Sequence, residues 1–284
     1  MKIIRTHKRK LPLSNSGNLS LYFIGTGSAF VKSLFQNNVI VVKGNQHLVI
    51  DCGTRCMEGL NTVNISAVEL KNFLITHTHA DHIGGLEEVM LTNRYVAHQR
   101  PRMILTETFE KILWNQSLRG GSAWSECHQG EPLEFHDFWQ VLRPTLASGM
   151  PRETWSYRLG ELDLLMPRTC HIPDSAQSWR DSFWSCAVIL DRRILFTSDT
   201  RYDPELILAF DRLLNLEIIF HDCQFFTGGV HASLAEISQL PPEIKAKTLL
   251  MHYGDTWRDY QDAVKAAGFL GFARQGHTYS FPGD

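Results

Sequence analysis

The chain has 284 residues, 28 lysines and arginines against 30 aspartates and glutamates, a formal net charge of −2, and a hydrophobic share of 43%. That composition excludes a disordered chain, allows a sizeable core, and argues against a protein that holds nucleic acid by bulk charge, because such proteins carry a basic excess. No run reaches the roughly 18–20 consecutive apolar residues of a membrane span, and the basic start MKIIRTHKRK is followed by no apolar signal core, so neither a membrane partner nor export is expected.

In chain order, short apolar runs rich in β-branched and aromatic residues predict strands at 19–24, 39–42, 48–50 and 72–76, the last ending at a cluster of histidines. Helical patterns follow at 82–91 and 107–114. Between about 117 and 151 the pattern weakens, with Gly120, Gly121, Gly130, Pro132, Pro144, Pro151 and two of the seven tryptophans, and this stretch reads as an irregular insertion. Strands resume at 156–159, 163–166, 186–190 and 193–197, the last two joined through Asp191 and Arg192 as a tight hairpin. A helix (204–214), strand (217–220), helix (233–239), strand (248–252) and helix (256–267) complete the series. Two β-rich halves with helices outside predict two packed sheets covered by helices. The six cysteines are too sparse for a disulfide framework in a chain this long, so free thiols in a reducing cytoplasm are expected.

Thirteen histidines are present and several are clustered. Thr76-His77-Thr78-His79-Ala80-Asp81-His82 follows a buried-type strand and opens a helix. His77 and His79, two apart in extended chain, point to one side, and Asp81 and His82 at the turn face a second point nearby. One metal cannot take all four from so short a segment without strain, whereas two metals can share them. His171, Asp199 and His252, each near the end of a predicted strand, are the further candidates.

His77-Thr78-His79-Ala80-Asp81-His82, then His171, Asp199 and His252 in that order, resembles the metallo-β-lactamase fold superfamily, over about residues 21–252. Phe23-Ile24-Gly25-Thr26-Gly27-Ser28 and Leu48-Val49-Ile50-Asp51-Cys52-Gly53 are similar to that family's opening strands, with Asp51 in the place of a buried supporting carboxylate. The resemblance implies an α+β fold, a four-layered αβ/βα sandwich, with residues 1–284 as a single metallo-hydrolase domain carrying the insertion at 117–151. It also implies a first metal on His77, His79 and His171, a second on Asp81, His82 and His252, and Asp199 bridging. Nitrogen and oxygen ligands without thiolate suit two Zn²⁺, the expected ions, and also Mn²⁺ or Fe²⁺. Two such ions lower the pKa of a shared water to near neutrality, and Asp81 is placed to orient that nucleophile.

His221-Asp222-Cys223-Gln224-Phe225 followed by His231-Ala232-Ser233 resembles the ribonuclease Z branch, in which the later histidine protonates the leaving oxygen and the acid orients it. That implies His231 as general acid and Asp222 as its holder, with a rate contribution on the order of 10²–10⁴ where the leaving group is an alkoxide. The 28-residue step from His171 to Asp199 is too short for the tRNA-gripping arm of many bacterial ribonucleases Z, and the basic residues of 82–171 form no run. The layout is closer to armless relatives such as the anti-Pycsar cyclic-nucleotide phosphodiesterases.

The expectation is therefore a dinuclear phosphodiesterase acting on a small phosphodiester, a cyclic nucleotide, through a metal-activated hydroxide and a histidine acid. A ribonuclease Z-type tRNA 3′ endonuclease, with nucleic acid as partner, is the alternative, followed by a thioester or lactone hydrolase and a metal-bearing binding protein with little turnover. Trp124, Trp139, Trp155, Trp179, Trp184, Phe225 and Tyr253 are candidates for a wall against the base. Ser28 is either a phosphate contact or a plain turn serine. A homodimer is expected by analogy, with the insertion and its two tryptophans as its surface.

Overall fold

A computed structural model describes residues 1–6, 9–122 and 127–283, which fall into two compact units. Trp124 lies outside the described residues.

The first unit comprises Met1–Gly25, Phe35–Pro144 and Gly276–Asp284. Its eight-stranded sheet runs Lys2–Arg5, His277–Phe281, Leu19–Phe23, Val39–Lys43, Gln46–Ile50, Asn72–Leu74, Arg102–Ile104 and Gln140–Leu142. Neighbours are antiparallel as far as Gln46–Ile50 and parallel beyond it. Parallel joins require crossovers, and the helices Cys56–Asn61, Leu86–Tyr95 and Glu107–Leu113 lie in them. Val39 to Val42 are all buried, so this strand shows no alternation of burial, as expected when both faces of a sheet are covered.

The helix expected at 82–91 is two helices, Ala80–Ile83 and Leu86–Tyr95, parted by Gly84 and Gly85. A Cβ on Gly85 would lie 2.7 Å from the Gly53 carbonyl and 2.9 Å from the Cys52 sulfur, so the break is where the helix meets the loop after Gln46–Ile50. The helix beginning at Glu107, capped by Thr106 Oγ1 on the Phe109 amide (3.2 Å), runs on through a π-turn at Trp114–Leu118 to Arg119–Ser122 despite two glycines.

The stretch 117–151 is more regular than its composition indicates. Gln140–Leu142 pairs in parallel with Arg102–Ile104 as the outermost strand. Trp139 just before it is fully buried, edge-on to Phe73 at 5.3 Å. The expectation of Trp139 as a surface or substrate-wall residue is therefore corrected: it is core, because docking that strand requires an apolar anchor.

The second unit comprises Thr26–Leu34 and Thr145–Gln275. Its sheet runs Thr145–Leu146, Thr154–Leu159, Leu162–Pro167, Val188–Leu190, Ile194–Phe196, Ile218–Asp222, Thr248–Met251 and Gly271–Phe272, again antiparallel first and parallel after Ile194–Phe196. The predicted hairpin is present, with Asp191 and Arg192 at φ 50° and 57°, the left-handed pair that a tight hairpin turn demands. Helix Pro204–Leu214 has Asp203 as cap, accepting the Leu206 amide at 3.1 Å, proline at its start and left-handed Asn215 at its end. It buries Leu206, Ile207 and Phe210 in a core with Leu195, Ile219 and Leu250. Burial of each large side chain stabilises by roughly 1.5–3 kcal/mol. The segment 256–267 divides into a 3₁₀ turn, Asp255–Tyr260, and helix Gln261–Ala266.

All six cysteines are free, and among the described residues no helix is long and apolar enough to cross a membrane.

Candidate metal centre

Two clusters of histidine and aspartate side chains able to hold divalent metals are present, and the seven ligands named from the sequence fall within them.

In the first unit, the strand Asn72–Leu74 leads into Thr76, His77 and His79, and the short helix Ala80–Ile83 carries Asp81 and His82. His77, Asp81 and His82 are buried and His79 is half-buried. His77 Nε2 and His79 Nδ1 lie 3.1 Å apart, and His82 Nε2 lies 3.2 Å from Asp81 Oδ2. Donor atoms around one tetrahedral ion with bonds near 2.0–2.1 Å stand about 3.3 Å apart. Asp51, fully buried at the end of Gln46–Ile50 with φ 64°, accepts the Thr76 amide (2.8 Å), the Thr76 hydroxyl (2.8 Å) and His82 Nδ1–H (2.7 Å). Burial pushes the Asp51 carboxyl up, and His82 and Thr76 oppose it. Thr76 Oγ1 also stands 3.1 Å from His77 Nδ1.

Two further residues set this geometry: Asn38, which has no signature in the sequence, and Gly53, which ends the motif Leu48–Gly53. Asn38, buried, donates from Nδ2 to the Asp81 carbonyl (3.2 Å) and accepts the Gly53 amide on Oδ1 (2.7 Å), clamping the two loops together. At Gly53 a Cβ would come within 1.9 Å of the same carbonyl, so only glycine permits the approach.

In the second unit, His171, Asp199, Asp222 and His252 are buried at or just past strand ends. One oxygen, Asp199 Oδ2, lies 3.8 Å from His171 Nε2 and 3.3 Å from His252 Nε2. His171 Nδ1–H donates to the Val230 carbonyl (2.8 Å), and His252 Nδ1 lies 3.2 Å from Asp222 Oδ1. Ser198 and His252 themselves sit at φ 53° and 57°, left-handed backbone that this region tolerates to aim its side chains.

The same imidazole chemistry recurs in both units. His82 and His171 each hydrogen-bond an oxygen through Nδ1, which favours the tautomer with a bare lone pair on Nε2, the form in which histidine ligates a metal, and His252 Nδ1 likewise faces a carboxylate oxygen. With carboxylates among the imidazoles and no thiolate, the donor set fits divalent zinc, manganese or iron.

Asp222, at the end of Ile218–Asp222, does more than the sequence indicates. It accepts His231 Nδ1–H (2.8 Å) and the Thr200 amide (3.0 Å), and it also faces His252. Burial pushes its carboxyl up, but the charges and hydrogen bonds of His231 and His252 outweigh that and hold it below the ordinary carboxylate range. For His231 burial acts downward, and Asp222 more than compensates, so the imidazole holds its proton more tightly than a free one. His221 is buried with Nδ1 donating to the Asp222 carbonyl (2.6 Å), a packing role.

His231 and His252 line a cavity of about 460 Å³ in the second unit, together with Ser28 and Phe225. Of the aromatic wall candidates among the described residues, only Phe225 lines it. Tyr253 is core, its hydroxyl 2.8 Å from Thr26 Oγ1 and donating to the Ala273 carbonyl (2.6 Å). Trp179 and Trp184 lie under Arg180 and Arg168, and Trp155 donates to Glu153. Ser28 braces the turn through its amide, which donates to the Tyr253 carbonyl (3.1 Å), and the residue lines the cavity.

A family model described as Anti-Pycsar protein Apyc1 matches residues 19–279. Anti-Pycsar protein Apyc1 of Bacillus phage BSP38 is 38% identical over 264 residues, covering 90% of this chain and 96% of the phage protein. The protein of the same description in Bacillus phage 010DV004 is 38% identical over 268 residues, covering 92% and 98%. Among solved structures, the metallo-β-lactamase fold protein YhfI from Bacillus subtilis superposes with a TM-score of 0.68 at 13% identity, covering 93% of this chain and all of that one. The two mixed sheets with their helices are thus those of the metallo-β-lactamase fold, α+β as expected.

Proposed function

Since the chain belongs to the Anti-Pycsar protein Apyc1 family, we propose that this metal-dependent hydrolase opens a small phosphodiester, a cyclic nucleotide, to the linear monophosphate. The observation that carries the reading is His231 on the wall of a cavity beside His252, its Nδ1 held at 2.8 Å by the buried Asp222. A thioesterase has no need of such a donor, because a thiolate leaves unaided, whereas an alkoxide of high basicity does.

His77, His79 and His171 would hold one ion and Asp81, His82 and His252 the other, with Asp199 shared. The ions, Zn²⁺ by expectation, supply electrophilic pull on the phosphoryl oxygens and a nucleophile deprotonated near neutral pH. Part of this set lies in each unit, and residues 1–284 are read as a single metallo-hydrolase domain because the family resemblance implies it. Asp51 and Asp222 fix the tautomers of His82 and His252, so no proton competes for Nε2. Asp81 accepts a hydrogen bond from the attacking water and orients it. As the P–O bond breaks, His231 gives the proton on Nε2 to the leaving sugar oxygen, and Asp222 stabilises the imidazolium before transfer. The near-zero net charge agrees with a small anionic substrate drawn by metals inside a pocket, where a whole tRNA would require a basic surface. A cytoplasmic homodimer completes the reading, by analogy with relatives. Conversion of cyclic mononucleotides by the metal-loaded protein tests it: linear nucleoside monophosphate is the expected product.

A further inference from the structure

The cavity beside His231 and His252 is built for more than phosphate. Phe30 and Phe226 line it while 87% and 69% of their surface stays exposed. Phe225 lies flat against Tyr260, ring centroids 4.0 Å apart and planes 5° from parallel, and both rings line the same space. Single exposed hydrophobic residues are ordinary, but here four aromatic rings converge on one cavity that also holds two site histidines. No carboxylate, ammonium or guanidinium is among its described lining residues.

The exposed rings are also held in place. The Asp255 carboxylate accepts the amides of Lys32 (2.9 Å) and Ser33 (2.8 Å), while the Ser28 amide donates to the Tyr253 carbonyl, so the loop bearing Phe30 is tied on both sides of the ring. Across the cavity, Gln224 Nε2 donates to the Gly228 carbonyl (2.6 Å) and closes the turn that carries Phe226. Bracing an apolar side chain in water gains nothing for the fold, but it lowers the ordering cost of binding.

We infer that Phe30, Phe226 and the Phe225–Tyr260 pair form the site for a flat, uncharged ring of the substrate, a nucleobase, held by stacking. This rests on the phosphodiesterase reading, which places the scissile phosphate at the metals and the leaving oxygen at His231. About 460 Å³ lies within the roughly 300–1,000 Å³ range of small-molecule sites. Each aromatic face that stacks on a base contributes enough that its removal costs on the order of ten- to a hundred-fold in affinity.

The test compares a 3′,5′-cyclic nucleotide with the base-free ribose 3,5-cyclic phosphate, for the wild-type protein and the F30A/F226A variant. Calorimetric affinity for the linear nucleoside monophosphate is the readout independent of turnover. Both phenylalanines are exposed, so the double variant keeps the fold, and Phe225→Leu, which removes the stack but keeps apolar bulk, serves as the second variant. The expected result is a roughly ten- to hundred-fold rise in KM for the nucleotide, a parallel loss of monophosphate affinity, and a much smaller change for the base-free ester. Equal losses on both esters, or unchanged KM and affinity for the nucleotides, overturn the aromatic site while the phosphodiesterase reading stands. Monophosphate binding that depends on the phenylalanines, without hydrolysis of either ester, upholds the aromatic site and refutes the phosphodiesterase reading.

Discussion

Asp222 is a carboxylate buried to 0% exposure, a placement tolerable only if its charge is fully paired, and the Thr200 amide, His231 and His252 pair it. One side chain thereby faces both His252 and His231, the metal ligand and the proton donor of the proposed mechanism. Replacing His231 removes only the donor. His231→Ala is expected to lower kcat for a cyclic nucleotide by roughly 10²–10⁴, with metal content unchanged. With bis(p-nitrophenyl) phosphate, whose phenolate leaves without protonation, the loss should be much smaller. Equal losses on both esters would show that His231 acts by some route other than leaving-group protonation. At this scale the sequence was informative wherever residue type was itself diagnostic: four potential ligands in the six residues His77 to His82 are rare in any other context. Asn38, Thr76 and the Val230 carbonyl were not legible, because an amide, a hydroxyl or a backbone oxygen gains its role only from what folding brings beside it.

The elements place the candidate ligands at or just past strand ends, and the loops after those strands do the fine positioning. Such ends were legible from apolar runs stopping at polar residues, and helix Pro204–Leu214 from its cap, its proline and its periodicity. Strand Lys2–Arg5 was not, because all four of its residues are exposed and an edge strand needs no hydrophobic alternation. Gln140–Leu142 was hidden among prolines and glycines, being three residues long and dependent on Arg102–Ile104 for its pairing. Gly53 shows how closely the loops approach. The Cβ of Gly53→Ala would need the Asp81 carbonyl to move from 1.9 Å, which displaces the helix start that carries Asp81 and His82. The expected outcome is a folded protein with clearly less bound metal per chain by atomic emission, and full metal content in that variant would contradict the clamp.

For the whole molecule, pH acts on stability through a histidine remote from the ligand cluster. His47 is buried, accepts the Lys71 amide on Nε2 (2.9 Å), and is held below the ordinary imidazole range by burial, with the charges of Lys71 and Arg102 adding to it. Its folded pKa is depressed, so the unfolded chain takes up the proton first. The stabilisation is complete above the unfolded pKa of about 6.5 and is lost as pH falls from there towards the folded value. In metal-loaded protein, thermal melting between pH 7.5 and 5.5 should fall less steeply for His47→Gln, which keeps an acceptor but does not titrate, than for wild type. Identical slopes would remove His47 from the account.

Net charge near zero, two mixed sheets and seven nitrogen and oxygen ligands all serve one claim, metal-dependent opening of a cyclic nucleotide. The most direct measurement is chromatographic analysis of cyclic mononucleotides incubated with Zn²⁺- or Mn²⁺-loaded protein, alongside His77→Ala and a precursor tRNA. Linear monophosphate formed by the wild type, absent with His77→Ala and with the tRNA left intact, is the predicted result. No monophosphate from any cyclic mononucleotide, or trimming of the tRNA in its place, would contradict it.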